Sequence, residues 1–295
     1  MRRIVGLVIG IILTAGCWYL FVKPYEYQVN FKVTTTQGDA IETLRIWNRT
    51  LKGCEILGVD SLQSLTQTMN SEGGDYMFKW NFIWVNDSTT QVKVEISEPG
   101  NAIKNKLLIA FQDLPIEKGA RKFTKEFYNV LQEHLKITNV QIIGETELES
   151  VFCACRTVET EQTNKAQGMM INYGFLADFI GDQNLAVNGL PLVRLLEWNH
   201  SQGKIKYDFC FPIIKNDSLK DNQYITFKEI DRMKAIKAVY NGNYITSDRA
   251  WYSLHNYAQS NSLKVDGLPI EYFYNNPNVG VNEKEWKAEI YLPIQ

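Results

Sequence analysis

The sequence predicts an α+β fold in which a transmembrane helix precedes two soluble parts, and three observations lead to this prediction. An uncharged apolar run lies near the N-terminus, from Ile4 to Val22. Stretches that alternate strictly between apolar and polar residues follow it, and this period of two is typical of half-buried strands. In the second half of the chain, one pattern of residues occurs twice at a constant offset. The 295 residues are enough for two domains that each bury a core.

The composition is that of a folded protein without a basic surface. Hydrophobic residues make up 45% of the chain and charged residues 22%, which is typical of globular rather than disordered proteins. The formal net charge of −2 argues against a nucleic-acid partner, because such proteins carry a basic face or stripe. The cysteines form no CxxC pair, so we expect buried small side chains rather than a metal site or a cofactor. They are Cys17, Cys54, Cys153, Cys155 and Cys210.

The N-terminal run has the length of a membrane span. Its 19 residues, from Ile4 to Val22, would extend over about 28 Å as a helix, close to the hydrocarbon thickness of a bilayer. Arg2 and Arg3 precede the run, and Trp18 lies near its far end, where interface aromatics are common. We therefore expect a membrane anchor over residues 1–24, with the arginines in the cytoplasm. The soluble body would face outward, into a periplasm if the source is a Gram-negative bacterium.

Two other interpretations of this segment remain open. The sequence Thr14-Ala15-Gly16-Cys17 loosely matches a lipoprotein signal, which would place a lipid on Cys17. A cleaved signal peptide is the other alternative. Both require a polar or small stretch after the apolar core, whereas this run stays apolar to Val22. An uncleaved anchor therefore fits the whole run best.

Residues 25–138 predict an antiparallel sheet closed by a long helix. Apolar and polar residues alternate over several stretches, and Asn86-Asp87-Ser88 supplies the turn of a hairpin. The expected elements are a strand over Tyr25–Val33, a helix that starts near Asp39, strands over Tyr76–Trp84, Val92–Ile96 and Leu107–Phe111, and a helix from about Ile116.

This order of elements resembles the helix-grip fold of the SRPBCC (START-like, polyketide-cyclase-like) family. In that family a sheet wraps the last helix and leaves a hydrophobic cavity between them. The resemblance implies that Trp80, Trp84 and Phe127 line such a cavity, with ordinary core packing as the alternative. A carrier of lipids or other hydrophobic ligands would be the corresponding function.

Residues 140–295 contain an internal repeat, with copies at about 140–214 and 224–295. Asn188-Gly189-Leu190-Pro191 matches Asp266-Gly267-Leu268-Pro269 at an offset of 78 (267 − 189). Phe211-Pro212-Ile213 then matches Leu292-Pro293-Ile294 at an offset of 81 (293 − 212). A unit of this size cannot bury its helix alone, so we expect the copies to pack as a pseudo-twofold pair with a cleft at the junction.

The second copy resembles the GyrI-like family, also called the AraC-type or bacterial transcription activator effector-binding domain. The residues that carry the resemblance are Gly267-Leu268-Pro269-Ile270-Glu271 and the terminal Glu289-Ile290-Tyr291-Leu292-Pro293-Ile294. It spans about Val140 to Gln295. The family is built from two repeats and binds small organic ligands in a central groove.

The resemblance also implies which residues contact a ligand. Family members that recognise cationic aromatic drugs use carboxylates and tyrosines of these two strands. The matching positions here are Glu271, Trp286, Glu289 and Tyr291, with Phe273 where the family often has tyrosine, and the first copy offers Tyr207 and Asp208. Such a groove would take amphipathic molecules, cationic aromatic ones included, because carboxylates and ring faces both attract cations.

Binding without chemistry is the function that we expect of this groove. The alternative is hydrolysis of reactive small molecules, with Glu289 as the general base, since some members of the family do this. No G-x-S-x-G, H-E-x-x-H or phosphate-loop motif occurs, so we assign no catalytic residue. The chain also has no basic recognition helix, which argues against direct regulation of DNA.

Overall fold

A computed structural model describes residues 2–60, 62–71, 74–216, 219, 221–277 and 282–295. The apolar N-terminal run forms helix α1 (Arg2–Cys17), which continues through a π-helical turn over Trp18–Val22. Among the described residues, Arg3–Val22 is the one helical stretch that is long and apolar enough to cross a membrane, and none of it is buried. The helix thus presents an apolar surface that the rest of the protein does not cover.

The first sheet has five antiparallel strands in the order β1-β5-β4-β3-β2. They are β1 (Tyr27–Val33), β2 (Cys54–Asp60), β3 (Ser64–Ser71), β4 (Gly74–Asn86) and β5 (Thr89–Ser97). Helix α2 (Gln37–Asn48) follows β1, and the Thr36 side chain caps it by accepting a hydrogen bond from the Asp39 amide. The strict alternation along β5 buries every second side chain against the helices, which builds one core on one face of the sheet.

A short helix, α3 (Ala102–Leu108), and a turn occupy the stretch where a strand was expected over Leu107–Phe111. That prediction is wrong because a short, continuous apolar run has no period that separates a strand from a helix. Gly100 interrupts the chain before α3, and most residues that follow it are good helix formers. The long helix α4 (Pro115–Ile137) comes next and starts close to the expected position.

The aromatic rings of the first core pack against one another. Trp80 and Phe127 are fully buried, with ring centroids 5.0 Å apart in an edge-to-face arrangement. The indole N–H of Trp80 donates to Gln67 Oε1 at 3.0 Å. Trp84 lies further along β4 and is exposed. Trp80 and Phe127 therefore fill the core, and for these two rings ordinary packing, not the lining of a cavity, describes the structure.

The second sheet has eight antiparallel strands in the order β10-β7-β9-β8-β12-β13-β11-β6. Its elements are β6 (Asn139–Leu148), β7 (Val151–Glu161), α5 (Lys165–Asp182), β8 (Leu192–Asn199), β9 (Lys204–Pro212), β10 (Thr226–Ile230), β11 (Met233–Asn241), α6 (Arg249–Ser260), β12 (Ile270–Phe273) and β13 (Lys287–Pro293). The order strand, helix, strand, strand occurs twice, as β7-α5-β8-β9 and as β11-α6-β12-β13. Strands β8 and β12 pair where the two units meet.

Equivalent turns precede the hairpins of both units. Gly189 and Gly267 adopt φ angles of +153° and +152°, which residues with a side chain rarely adopt. A Cβ atom at either glycine would lie 3.1 Å from a ring carbon of Pro212 or Pro293. The proline carbonyls of both units accept matching hydrogen bonds from the residues that precede the glycines, at 2.8 and 2.9 Å. The backbone geometry thus explains why both turns contain glycine.

The second sheet has two unlike faces. Helices α5 and α6 cover one face, here called the helix face, and the largest core lies between them and the sheet. The other face, here called the open face, carries a smaller cluster that includes Cys155, Cys210, Ile270 and Tyr291. Because side chains alternate along a strand, neighbouring residues of β9, β12 and β13 point to opposite faces.

Cys155 and Cys210 form a disulfide on the open face. Their Cα atoms are 4.1 Å apart because the two residues are direct partners in the β7–β9 register. Cys155 and Cys210 are thus buried, as expected, and are also bonded to each other, whereas Cys153 is a buried thiol. The two partners lie 55 residues apart, so their spacing gives no sign of the bond.

The two halves of the chain meet through α2 and α6. Arg249 Nε lies 2.8 Å from Asp39 Oδ1, and His134 Nε2 lies 2.9 Å from the same oxygen. All three side chains are largely buried. Gly38 allows this approach, since a Cβ atom there would lie 2.0 Å from the ring of Tyr252.

Candidate functional site

A groove of about 460 Å³ opens on the helix face of the second sheet. It lies between α5, a 3₁₀ turn over Tyr244–Thr246, and the segments that follow β12 and precede β13. The lining residues are Ala166, Met169, Met170, Tyr173, Leu190, Pro191, Phe209, Asn243, Tyr244, Ile245, Phe273, Tyr274, Asn275, Asn276, Pro277 and Trp286. None of these described residues carries a formal charge, so the groove offers rings, aliphatic groups and amides.

Three aromatic rings form a fixed wall of the groove. Tyr244 packs between Phe273 and Trp286, with centroid distances of 4.8 and 5.3 Å. The Tyr244 hydroxyl donates to the Lys287 carbonyl at 2.7 Å and accepts from the Asn275 amide at 3.0 Å. These bonds fix the ring plane, so a ligand meets a surface that needs little reordering.

A buried ion pair lies behind the Phe273 wall. Lys165 Nζ donates to both carboxylate oxygens of Glu271, at 2.6 and 2.8 Å, and the Ser247 hydroxyl donates to one of them at 2.7 Å. Both side chains of the pair are fully buried. The ammonium lies 4.8 Å from the centre of the Trp251 ring and 6.0 Å from that of Phe273. The charge of Glu271 is therefore neutralised inside the protein.

Glu289 lies on the open face and is also neutralised. Lys237 Nζ and Lys287 Nζ each lie 2.8 Å from one of its oxygens, and the Tyr291 hydroxyl donates to it at 2.9 Å. Burial acts to raise the pKa of Glu289, but the hydrogen bonds from the lysines and tyrosines outweigh it and lower the pKa to about 2. A carboxylate held in this way is a weak base.

A cleft of about 670 Å³ on the open face includes Glu289 and Tyr291. Three further carboxylates line it, and each has a basic neighbour. Glu147 pairs with Arg232, Glu149 lies 3.8 Å from the same guanidinium, and Glu229 lies 3.0 Å from Lys215 Nζ. The cleft is thus rich in charges of both signs that compensate one another.

The remaining two expected residues lie on adjacent positions of β9. The buried Tyr207 points to the helix face, and its hydroxyl donates to the Lys165 carbonyl at 3.0 Å. Asp208 points to the open face, where Lys228 Nζ and the Thr157 hydroxyl donate to it, both at 2.7 Å. Neither side chain lines the helix-face groove.

The structure does not bring the seven expected residues into one groove. The helix face holds Tyr207, Glu271, Phe273 and Trp286, and the open face holds Asp208, Glu289 and Tyr291. The register explains the division, because Glu271 pairs with Ile290 and Tyr272 with Glu289 across β12 and β13. This corrects the expectation of one central groove with all the acids in it. Phe273 and Trp286 are the two that line the helix-face groove.

Residues 142–295 match the model of the GyrI-like small molecule binding domain, which is just over half of the chain. The chain belongs to the GyrI-like family. The resemblance drawn from the Gly-Leu-Pro turn and the terminal strand is thereby confirmed. The match does not extend to the first sheet, so the resemblance of residues 25–138 to the helix-grip fold stays a prediction.

Solved structures that are similar to this chain include a DNA complex and a complex with tetraphenylphosphonium. The cryo-EM structure of the EcmrR–DNA complex in EcmrR-RPo is 16% identical, with 65% of this chain and 70% of that chain covered and a TM-score of 0.44. The EcmrR C-terminal domain is 17% identical over 54% and 98% of the chains, with a TM-score of 0.41. SAV2435 bound to tetraphenylphosphonium is 14% identical over 53% and 94%, with a TM-score of 0.35. No curated protein matches the chain.

Several residues that shape the groove of the GyrI-like domain have no signal in the sequence. In the sequence, Lys165 resembles any charged residue at the start of a helix, and its partner Glu271 is 106 residues away. Tyr244 lies in a loop between β11 and α6, outside every periodic stretch. Met169 and Tyr173 lie four residues apart on α5, a spacing that would have predicted a shared helix face but not that the face borders a groove.

Proposed function

We propose that this protein is a membrane-anchored receptor for small, uncharged amphipathic molecules, which bind in the helix-face groove of the GyrI-like domain. The observation that carries the proposal is the groove itself, which combines a fixed aromatic wall with amide groups and has no charged lining residue among those described. Its volume of about 460 Å³ is in the range of small-molecule sites. An apolar ligand with a few hydrogen-bonding groups fits this lining.

The pairing of the acids argues against selection of cations. A ligand cation near Glu271 would compete with Lys165, which is already in place at 2.6 Å and needs no further ordering. The carboxylates of Glu289 and Asp208 have lysine partners in the same way. The charge preference expected from the resemblance is therefore replaced here by selection on shape and apolar contact.

The two alternative functions receive less support. Hydrolysis with Glu289 as general base would need a pKa near the working pH, whereas two lysines lower the pKa of this carboxyl to about 2 after opposing the effect of burial. Carriage of a lipid by residues 25–138 would need a cavity, whereas Trp80 and Phe127 pack directly against each other. Binding without turnover in the GyrI-like domain remains the proposal.

The proposal includes the placement of the chain. Residues 1–24 anchor it, residues 25–138 and 140–295 fold as separate domains, and both domains face outward. The disulfide between Cys155 and Cys210 supports an oxidising compartment, because such bonds are rare in the cytosol. Cys17 ends α1 and the helix continues through Val22, which supports an uncleaved anchor over a lipoprotein.

Calorimetry on the full chain in lipid nanodiscs would test the proposal. Neutral aromatic amides and ammonium analogues of the same shape would be compared, and we expect the neutral series to bind. Trp286→Ala should weaken binding by about tenfold or more, the scale of a central aromatic contact. Trp84→Ala is the matched control, since Trp84 is an exposed tryptophan of the first sheet. Binding that is lost with Glu289→Gln but kept with Trp286→Ala would contradict the assignment.

A further inference from the structure

Helix α3 is fastened to the end of the apolar N-terminal helix. Lys106 Nζ donates to the carbonyls of Leu20 and Lys23, at 3.1 and 2.5 Å, and the Tyr19 hydroxyl donates to the Lys106 carbonyl at 3.3 Å. The last carbonyls of a helix have no partners within it, so the ammonium satisfies groups that would otherwise be left open. These bonds fix α3 at the level where the apolar segment ends.

The other side of α3 is held by the first sheet. Glu98 follows β5, and its two carboxylate oxygens accept from the side-chain amides of Asn101 and Asn105, at 2.6 and 2.7 Å. Asn105 and Lys106 are both buried. The helix is therefore clamped between the sheet and the membrane segment, and its orientation is defined.

The outward side of this clamped segment is apolar. Ile103 and Leu107 are 48% and 52% exposed and lie four residues apart on one side of α3, and Phe111 in the following turn is 88% exposed. Exposure of three large apolar side chains to water is unfavourable by about 25 cal/mol for each Å². Phe21 and Val22, at the end of the apolar N-terminal helix to which α3 is bonded, are also exposed.

The charges of this stretch have one sign. Residues 99–112 contain no aspartate or glutamate, and Lys104 is exposed, whereas the Lys106 ammonium is buried against the helix carbonyls. A segment that combines exposed apolar side chains with an exposed lysine and lacks acids has the chemistry of a peripheral membrane helix, which is attracted to anionic lipid head groups.

We propose that α3 and the turn after it lie on the bilayer surface, with Ile103, Leu107 and Phe111 inserted at the boundary between head groups and acyl chains. The inference rests on the proposed anchor, because the occupant of this surface is the same bilayer that holds α1. Two attachments, a spanning helix and a surface helix joined by Lys106, fix the tilt of the first domain on the membrane.

Depth-dependent fluorescence quenching in nanodiscs would test the inference on the full chain. A polarity-sensitive fluorophore would be attached at Leu107→Cys in a background that carries Cys17→Ser and Cys54→Ser, with the buried Cys153 retained. Nitroxide lipids labelled either high on the acyl chain or near the bilayer centre would serve as quenchers. We expect strong quenching by the upper label and weak quenching by the central one.

Two further probe positions make the outcomes distinct. A probe at Val22→Cys reports insertion of the anchor, and a probe at Ile171→Cys, on the exposed side of α5, is the matched control for an apolar helix position. Quenching at Val22 without quenching at Leu107 would overturn the proposal that α3 lies on the bilayer surface and would leave the proposed anchor intact. No quenching at either position would overturn both. Equal quenching at Leu107 and Ile171 would also overturn the inference, because contact with lipid would then not be specific to α3.

Discussion

Removal of the Lys165 ammonium should convert the groove of the GyrI-like domain into one that prefers cations. In the native protein, Lys165 and Ser247 hold the carboxylate of Glu271 behind the aromatic wall. The substitution Lys165→Met retains an apolar side chain of similar length but leaves that carboxylate without its counter-charge. A cationic ligand that stacks on Phe273 would then be attracted by the uncompensated negative charge of Glu271 behind the ring.

The size of this effect follows from the geometry. The Lys165 ammonium is fully buried and lies 6.0 Å from the centre of the Phe273 ring, which lines the groove. A cation stacked about 4 Å above the ring would be about 10 Å from the buried pair, and at this separation and an effective dielectric constant of about 20 a single unpaired charge gives about 1.7 kcal/mol. This energy corresponds to a change of roughly tenfold or somewhat more in Kd.

Calorimetric titration of matched neutral and ammonium ligands would measure the change. Lys237→Met is the control, because Lys237 neutralises Glu289 on the open face and should not alter charge preference in the helix-face groove. The double variant Lys165→Met/Glu271→Gln removes both charges and should return the groove to the native preference for neutral ligands. If Lys165→Met folds and its preference equals that of the native protein, the buried pair does not set the charge selectivity.

The same substitution carries a cost in stability that must be measured alongside. Removal of one partner of a buried ion pair destabilises a protein by about 3–5 kcal/mol, because the other charge is left desolvated. We expect Lys165→Met to lower the midpoint of urea unfolding, and the double variant with Glu271→Gln to recover much of the loss. Such recovery would show that the stranded charge, not the lost packing of the lysine stem, accounts for the cost.

Three further predictions concern the first domain and its contact with the second. Asp39→Asn should lower the free energy of unfolding by about 3 kcal/mol, since it breaks the buried pair with Arg249. Burial opposes ionisation of Asp39, but His134 and Arg249 lower its pKa to about 2. The contribution of the Asp39 carboxylate to the free energy of unfolding is therefore complete above the ordinary aspartate pKa of 3.8 and is lost as the pH falls through about 2. Acid titration of unfolding would measure this loss. Burial raises the pKa of Glu42 to about 7. The free energy of unfolding should therefore fall as the pH rises from the ordinary glutamate pKa of 4.5 to about 7. The substitution Glu42→Gln should flatten that part of a plot of unfolding free energy against pH. Phe127→Ala should cost about 3–5 kcal/mol in urea unfolding if the ring fills the core, and a cost below about 1 kcal/mol would instead indicate an open cavity.

Elements with a clear period could be predicted from the sequence. The alternation over Tyr25–Val33 and around the Asn86–Ser88 turn locates β1 and the β4–β5 hairpin to within a few residues, because each pattern reflects one buried face. The stretch around Leu107 could not be assigned correctly. Leu107 and Phe111 face outward while Leu108 and Ile109 pack against the core, so the apolar run does not mark one buried face, and a strand and a helix are equally compatible with it.

The candidate site was harder to predict, for a reason that lies in strand pairing. Alternation shows that Glu289 and Tyr291 share a face, and the structure places both on the open face. The alternation does not show which residue of β12 lies beside Glu289 and Tyr291. The observed register pairs Tyr272, not Glu271, with Glu289. A shift of one residue would have placed both acids on one face. The partners Lys165, Lys237 and Lys228, which decide the charge of the site, come from other elements and cannot be identified from spacing.

The buried ion pair behind the groove and the junction between the two halves of the chain are contacted by consecutive residues. Ser247 donates to Glu271 at 2.7 Å beneath the aromatic wall, Asp248 accepts from Gln162 at 2.6 Å, and Arg249 pairs with Asp39 at 2.8 Å across the junction. Because the three residues are consecutive, we expect a substitution that displaces Ser247 to disturb the pair of Arg249 with Asp39 as well.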